Sequence, residues 1–292
     1  KLGFPINCIA IPKTVDNDLA VTDSCPGFGS AAKYIATSIM EASLDVASMS
    51  ETSTKVFILE VMGRNAGWLA ASSALARSTN KDAPHIILMP EVTFNKKKFL
   101  SRVKKVVSHN GYCVVVASEG VKNTKGKFLA ETNLKDAFGH AQLGGVAPYL
   151  SSLINEELKL KNHWAISDYL QRSARHISSK TDLLHAEAVG IHAVKFAING
   201  MNGVMPVIER GDGKKYSWKI KPASLSKIAN VEKKLPKSFI SKDGFNVTTK
   251  AIAYLQPLII GEAFPKFKNG IPVKANLKLV QVAKKLKKWR AD

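Results

Sequence analysis

The chain is poor in most features that announce a protein class. It has three cysteines in 292 residues, Cys8, Cys25 and Cys113. An odd number at wide spacing excludes a disulfide framework, and no pair has the spacing of zinc ligands. Cys8 and Cys113 sit in apolar runs, where cysteine behaves as a small hydrophobe. A reducing, cytoplasmic setting is therefore expected. No apolar run approaches the ~20 residues of a membrane-spanning helix, so no membrane partner is expected. The opening "KLGFPINCIA" carries one charge and then a short apolar stretch, which is not a signal-peptide layout. There is no internal repeat, no low-complexity linker and no Rossmann or Walker glycine spacing.

Acidic residues are also scarce. Lys and Arg number 43 against 23 Asp and Glu, a net charge of +20. Such an excess suits a polyanion, or simply a solvated lysine-rich surface. The excess is spread through "NKKKF", "KNTKGK", "GKKYSWKIK" and "KKLKKWR", with no helix-turn-helix, zinc-finger or RNP pattern. Nucleic acid is thus an outside reading. A small, multiply charged anionic substrate would be drawn by the same field.

What is present is an alternation. "INCIAI" (6–11), "VFILEVM" (56–62), "HIILMP" (85–90) and "YCVVVAS" (112–118) predict buried strands, being β-branched and almost continuously apolar. Residues 29–48 and 65–78 predict Ala-rich helices, with weaker helical patterns over 96–109 and 142–158. This order predicts an α/β fold with parallel, Rossmann-like sheets in three layers. Further on, 186–200 predicts a helix ending at Gly200, and 203–220 a hairpin turning at Gly-Asp-Gly. Residues 248–265 predict a helix and then an extended piece. A last helix over 275–289 would place Leu279, Val282, Leu286 and Trp289 on one face and dock on the surface.

In parallel sheets ligands sit beyond the carboxyl ends of the strands. "PKTVDND", "MGRNAG", "PE" and "SEG" follow the four predicted strands and should face one crevice. An aspartate there can take a proton from a substrate hydroxyl, a second can support it, and a lysine can neutralise phosphate oxygens. Asp and Asn are equally at home in a polar turn, and spacing alone leaves the two readings level. Arg64 at a helix start suits a phosphate or an ordinary surface. Glu91 could bind sugar hydroxyls or be solvated. Tyr169, Arg172 and His176, spaced by three and four, would share a helix face, either phosphate-binding or merely charged. "GHAQLGG" (139–145) is a weak phosphate-loop candidate.

Taken together, "PKTVDND", "MGRNAGWLA", "PE" and "DYLQR" resemble the phosphofructokinase family, and most of all its pyrophosphate-dependent branch. The likeness runs on through "VEKKLPKSFISKDGFNVTT" and "PLIIGEAFP". It implies a two-domain fold: 1–27 ending a donor-binding domain, 28–170 a sugar-phosphate domain, 171–225 returning to the first, and 226–292 an extension packing on both. It also implies transfer of a phosphoryl group from pyrophosphate to the 1-hydroxyl of fructose 6-phosphate, with Mg²⁺, in a dimer or tetramer. By resemblance Asp16 is the general base, with Thr14 and Asp18 in its loop. Lys13 stands where ATP-dependent relatives usually carry glycine. Met62, Gly63 and Arg64 match the segment on the sugar phosphate and the moving phosphoryl group. Glu91 matches the acid that holds the sugar, and Tyr169 and Arg172 the pair that grips its 6-phosphate. Lys55 falls where relatives often carry an arginine reaching a neighbouring subunit's site. A Gly-Gly-Asp-Asp segment that helps bind Mg²⁺ is expected before Lys1, so the metal ligand is not assigned and the chain reads as a piece of a longer polypeptide. ATP-dependent transfer and a non-catalytic sugar-phosphate-binding subunit are the alternatives.

Overall fold

A computed structural model describes residues 6–79, 81–129, 131–135, 141–143, 145–213 and 215–285. The chain builds α1 (Phe28–Met49), β1 (Val56–Val61), α2 (Trp68–Ser72), β2 (Ile86–Leu88), α3 (Lys96–Asn110) and β3 (Cys113–Ser118) in that order. A small antiparallel pair follows, β4 (Glu131–Lys135) and β5 (Ala141–Leu143). Then come α4 (Val146–Leu158), β6 (Asn162–Ile166), α5 (Leu170–Ser173), α6 (Lys180–Ile198), the hairpin β7 (Val204–Arg210) and β8 (Trp218–Ser224), and α7 (Thr249–Leu255).

The central sheet is parallel, in the order β2-β3-β1-β6. Alternate residues of β3 face opposite layers. Cys113, Val115 and Ala117 pack with α3 and α4, while Val114 and Val116 pack with α1 and α2. Both faces are covered, which is why the strand reads as an unbroken apolar run rather than an alternation. α1 buries Phe28, Ala31, Ala32, Ile35 and Ile39 at helical spacing against one layer. Asn95 caps α3 by accepting from the Lys98 N–H, and Gly111 ends it in the left-handed region at φ 83°.

One acid sits inside a buried strand. Glu60 of β1 is 2% exposed. Its carboxylate accepts the N–H groups of Gly145 (3.1 Å) and Ala147 (2.8 Å) at the start of α4. The charge thus meets the unpaired donors and the positive end of that helix. Burial nevertheless raises its carboxyl above the usual range.

Three expectations need correction, and one strand was not foreseen. Residues 6–11 do not form a strand of the central sheet. They make a single parallel bridge from Ile9 to Val204, and Ile6 and Ile11 remain exposed, because only one side finds a partner. β6 takes the free edge beside β1; its sequence "NHWAI" is half-exposed and lacks the continuous apolar signal. Tyr169, Arg172 and His176 do not lie along one helix. α5 is four residues long and is followed by a separate 3₁₀ turn over Arg175–Ile177. Residues 275–285 carry no helix, and Leu279 and Val282 are exposed; a short lysine-rich helix without a packing partner is marginal. Leu286 and Trp289 lie outside the described residues, as do residues 139, 140 and 144 of the glycine-rich 139–145 stretch. No helix among the described residues is long and apolar enough to cross a membrane.

Candidate active site

The carboxyl ends of β1, β2, β3 and β6 carry Met62–Arg64, Pro90–Glu91, Glu119–Gly120 and Ser167–Arg172. The aspartate loop reaches the same crevice from the side of β7 rather than from a strand of this sheet. Within it, Thr14 Oγ1 accepts the Asp16 N–H at 3.1 Å, closing a short turn. Asn17 is fully buried and left-handed, at φ 55°. Its Oδ1 accepts the Cys25 N–H at 2.9 Å. An Asn tolerates this conformation and locks it by local hydrogen bonds. The residue between the two acids is therefore the anchor of the loop that carries both carboxylates.

Asp16 is half-buried. Its carboxyl is pushed up to about 6, first by desolvation and then by the negative Asp18, against the pull of Lys13, Arg64 and Arg172. Four of the predicted residues, from the aspartate loop, the end of β1 and α5, thus act on the charge of one carboxylate. Desolvation and Glu232 also raise Asp18, while Lys233 opposes them.

The loop after β1 is tightly built. Gly63 sits at φ 130°, and a Cβ there would meet the Ala66 carbonyl at 2.7 Å. Its carbonyl accepts from Ser118 Oγ (2.5 Å), and its N–H donates to Glu119 Oε1 (3.3 Å). Met62 N–H donates to Gln171 Oε1 at 3.3 Å, tying this loop to α5. At Gly120 a Cβ would fall 2.0 Å from the Arg64 carbonyl, so "SEG" must end in glycine for Arg64 to sit where it does. The Arg172 guanidinium lies over the Tyr169 ring, 4.1 Å from its centroid, with Tyr169 62% exposed. Glu91 Oε1 accepts the N–H groups of Gly67 (3.0 Å) and Leu235 (2.9 Å). Its Oε2 is buried with no partner, a costly state that a ligand hydroxyl would relieve.

Lys55 is not brought to this crevice. It lies at the amino end of β1, where its ammonium donates to the carbonyls of Ser50 and Glu51 after α1. Four residues that the sequence reading passed over do belong to the site. Asn17 and Glu119 stood inside quoted motifs but were assigned no role. Gln171 lies within "DYLQR", and Lys233 lies far along the chain, with no local signal.

The chain's first 197 residues match the family model described as phosphofructokinase. It is 57% identical over 289 residues to the pyrophosphate–fructose 6-phosphate 1-phosphotransferase of Xanthomonas campestris, covering 98% of this chain and 69% of that protein. The chain belongs to the phosphofructokinase family. Two solved structures agree. The pyrophosphate-dependent phosphofructokinase of Nitrosospira multiformis matches with a TM-score of 0.90 at 54% identity, over 99% of this chain and 69% of that one. That of Marinobacter aquaeolei matches with a TM-score of 0.88 at 53% identity, over 98% and 68%. The α/β phosphofructokinase fold is thus established over nearly all of this chain. It accounts for the sheet with its reactive loops at the carboxyl ends.

Proposed function

We propose that this phosphofructokinase transfers a phosphoryl group from pyrophosphate to the 1-hydroxyl of fructose 6-phosphate, reversibly and in the cytoplasm. The observation that carries the reading is Asp16, a half-buried carboxylate at the crevice, pushed up to about 6 by burial while Lys13, Arg64 and Arg172 pull it down. A base near that value is ionised at neutral pH yet basic enough to accept the hydroxyl proton. The 1-hydroxyl would lie against Asp16, with its proton passing to the carboxylate as the oxygen attacks phosphorus. Arg64 and Lys13 would meet the charge spreading over the transferred oxygens. Tyr169 and Arg172 would hold the 6-phosphate, and Glu91 Oε2 a sugar hydroxyl. The relatives named for pyrophosphate support the donor assignment.

A phosphoryl transferase needs a divalent cation to neutralise its donor, and we assign Mg²⁺. Among the described residues no three His, Cys, Asp or Glu side chains gather to hold a metal. Asp18, beside the base, would offer a hard oxygen donor to an ion held chiefly through phosphate oxygens and water. The chain's exposed apolar residues, among them Met40 and Leu44 on α1 and Trp164 on β6, suit a homo-oligomer.

Assays with pyrophosphate and ATP side by side test the donor. Turnover is expected with pyrophosphate, and preference for ATP would overturn the assignment. Glu91→Gln keeps the acceptor at Oε1 but turns the unpartnered oxygen into a donor group. Its KM for fructose 6-phosphate should rise roughly tenfold. An unchanged KM would remove Glu91 from the sugar site.

A further inference from the structure

The connecting segment 232–235 touches three loops of the crevice, although none of its residues lies near them in sequence. Glu232 pairs with Leu19 as an antiparallel bridge and accepts from Asn65 Nδ2 at 2.7 Å. The Lys233 N–H donates to the Asp18 carbonyl at 2.6 Å, and the Lys233 carbonyl accepts from Trp68 Nε1 at 2.8 Å. The Leu235 N–H holds Glu91, as described above. One strap therefore fastens the aspartate loop, the Arg64 loop and the Glu91 loop to one another.

Its centre is the Lys233 ammonium. An ammonium has three donors. Here they reach the Thr22 carbonyl (3.0 Å), the Asp23 carbonyl (2.8 Å) and Asn17 Oδ1 (3.2 Å). The group lies 5.2 Å from the centre of the Trp68 ring, the face of which favours a cation. No carboxylate forms an ion pair with it among the described residues. Burial pulls the ammonium below the usual lysine range, so the charge is held here at a cost. A cationic side chain with several donors gathers three acceptors along the loop while opposing the negative Glu232 at Asp18.

We infer that Lys233 is the positioning residue of the phosphoryl-transfer site, clamping residues 17–23 so that Asp16 faces the substrate hydroxyl. The inference rests on the function proposed above. It implies that the segment after the family-matched residues 1–197 is part of the working site.

Lys233→Met and Lys233→Arg in the full chain, read by hydrogen exchange and by steady-state kinetics, test it. Met keeps the length and removes the donors. Amides of residues 16–25 should then exchange at least about tenfold faster, with β3 unchanged. Turnover should fall roughly a hundredfold while the KM for fructose 6-phosphate stays near that of the parent, the mark of lost alignment. Arg, which keeps charge and donors, should recover part of both. Unchanged loop exchange and unchanged kcat in Lys233→Met would overturn the inference. So would loss of protection throughout, β3 included, together with a Glu232→Gln variant, altered at an exposed position, that leaves the exchange of 16–25 and 62–67 and the kcat untouched. A parent chain without pyrophosphate-dependent turnover would sink the function instead, because the exchange measurement needs no turnover.

Discussion

Asp16→Asn should lower kcat by about 10²–10⁴-fold, the usual contribution of a positioned general base. Fructose 6-phosphate should still bind, because the groups assigned to the sugar and its phosphate lie on other loops. Calorimetry on the variant separates the two effects. Near-normal turnover would remove Asp16 as the base. In the parent, activity should fall as the pH drops through about 6, where Asp16 takes up its proton. The same variant should be more stable than the parent at neutral pH. Asp16 titrates at about 6 in the fold against 3.8 as its reference. The folded state therefore holds the proton more tightly. The stability contributed by this group is fully present below 3.8 and is lost as the pH rises through about 6. At neutral pH the ionised, desolvated carboxylate is a net cost, about 1 kcal/mol after allowance for solvent screening. A thermal melt that drops on Asp16→Asn would contradict this.

The second large effect is at Arg172. Its side chain is exposed, lies over the Tyr169 ring and acts on Asp16 to lower its carboxyl. A guanidinium paired with a phosphate makes charge-assisted bonds worth ~1.5–3 kcal/mol. Arg172→Ala should therefore raise the KM for fructose 6-phosphate roughly 10- to 100-fold. The position is exposed, so the fold should be kept, and unchanged melting would show it. Removing this cation should also move the acid limb of the pH profile upward, since Asp16 loses one of its three neighbouring positive charges. A KM equal to the parent's would place the 6-phosphate elsewhere.

Much of this was legible in the sequence, for identifiable reasons. β1, β2 and β3 are buried on both faces, so their apolar runs speak plainly. Glycines at 63 and 120 mark close backbone approaches that no side chain allows, and both fall in motifs the sequence singled out. The aspartate loop was ambiguous because a catalytic loop and an Asx turn use the same residues. The structure shows a turn, with Asn17 as its anchor. β6 was missed because an edge strand needs few apolar residues. Lys233 was invisible for a different reason. A lysine in a lysine-rich segment reads as surface, and only long-range contacts with residues 17–23 give it meaning. The terminal helix failed because periodicity reports a possible face and not whether anything covers it.

The most direct test is ³¹P NMR of the full chain with fructose 6-phosphate, pyrophosphate and Mg²⁺. The account predicts that the pyrophosphate signal falls while free phosphate and a new phosphomonoester grow in equal amounts. Pyrophosphate left intact while the sugar phosphate binds, or split into phosphate with no new ester, would contradict it.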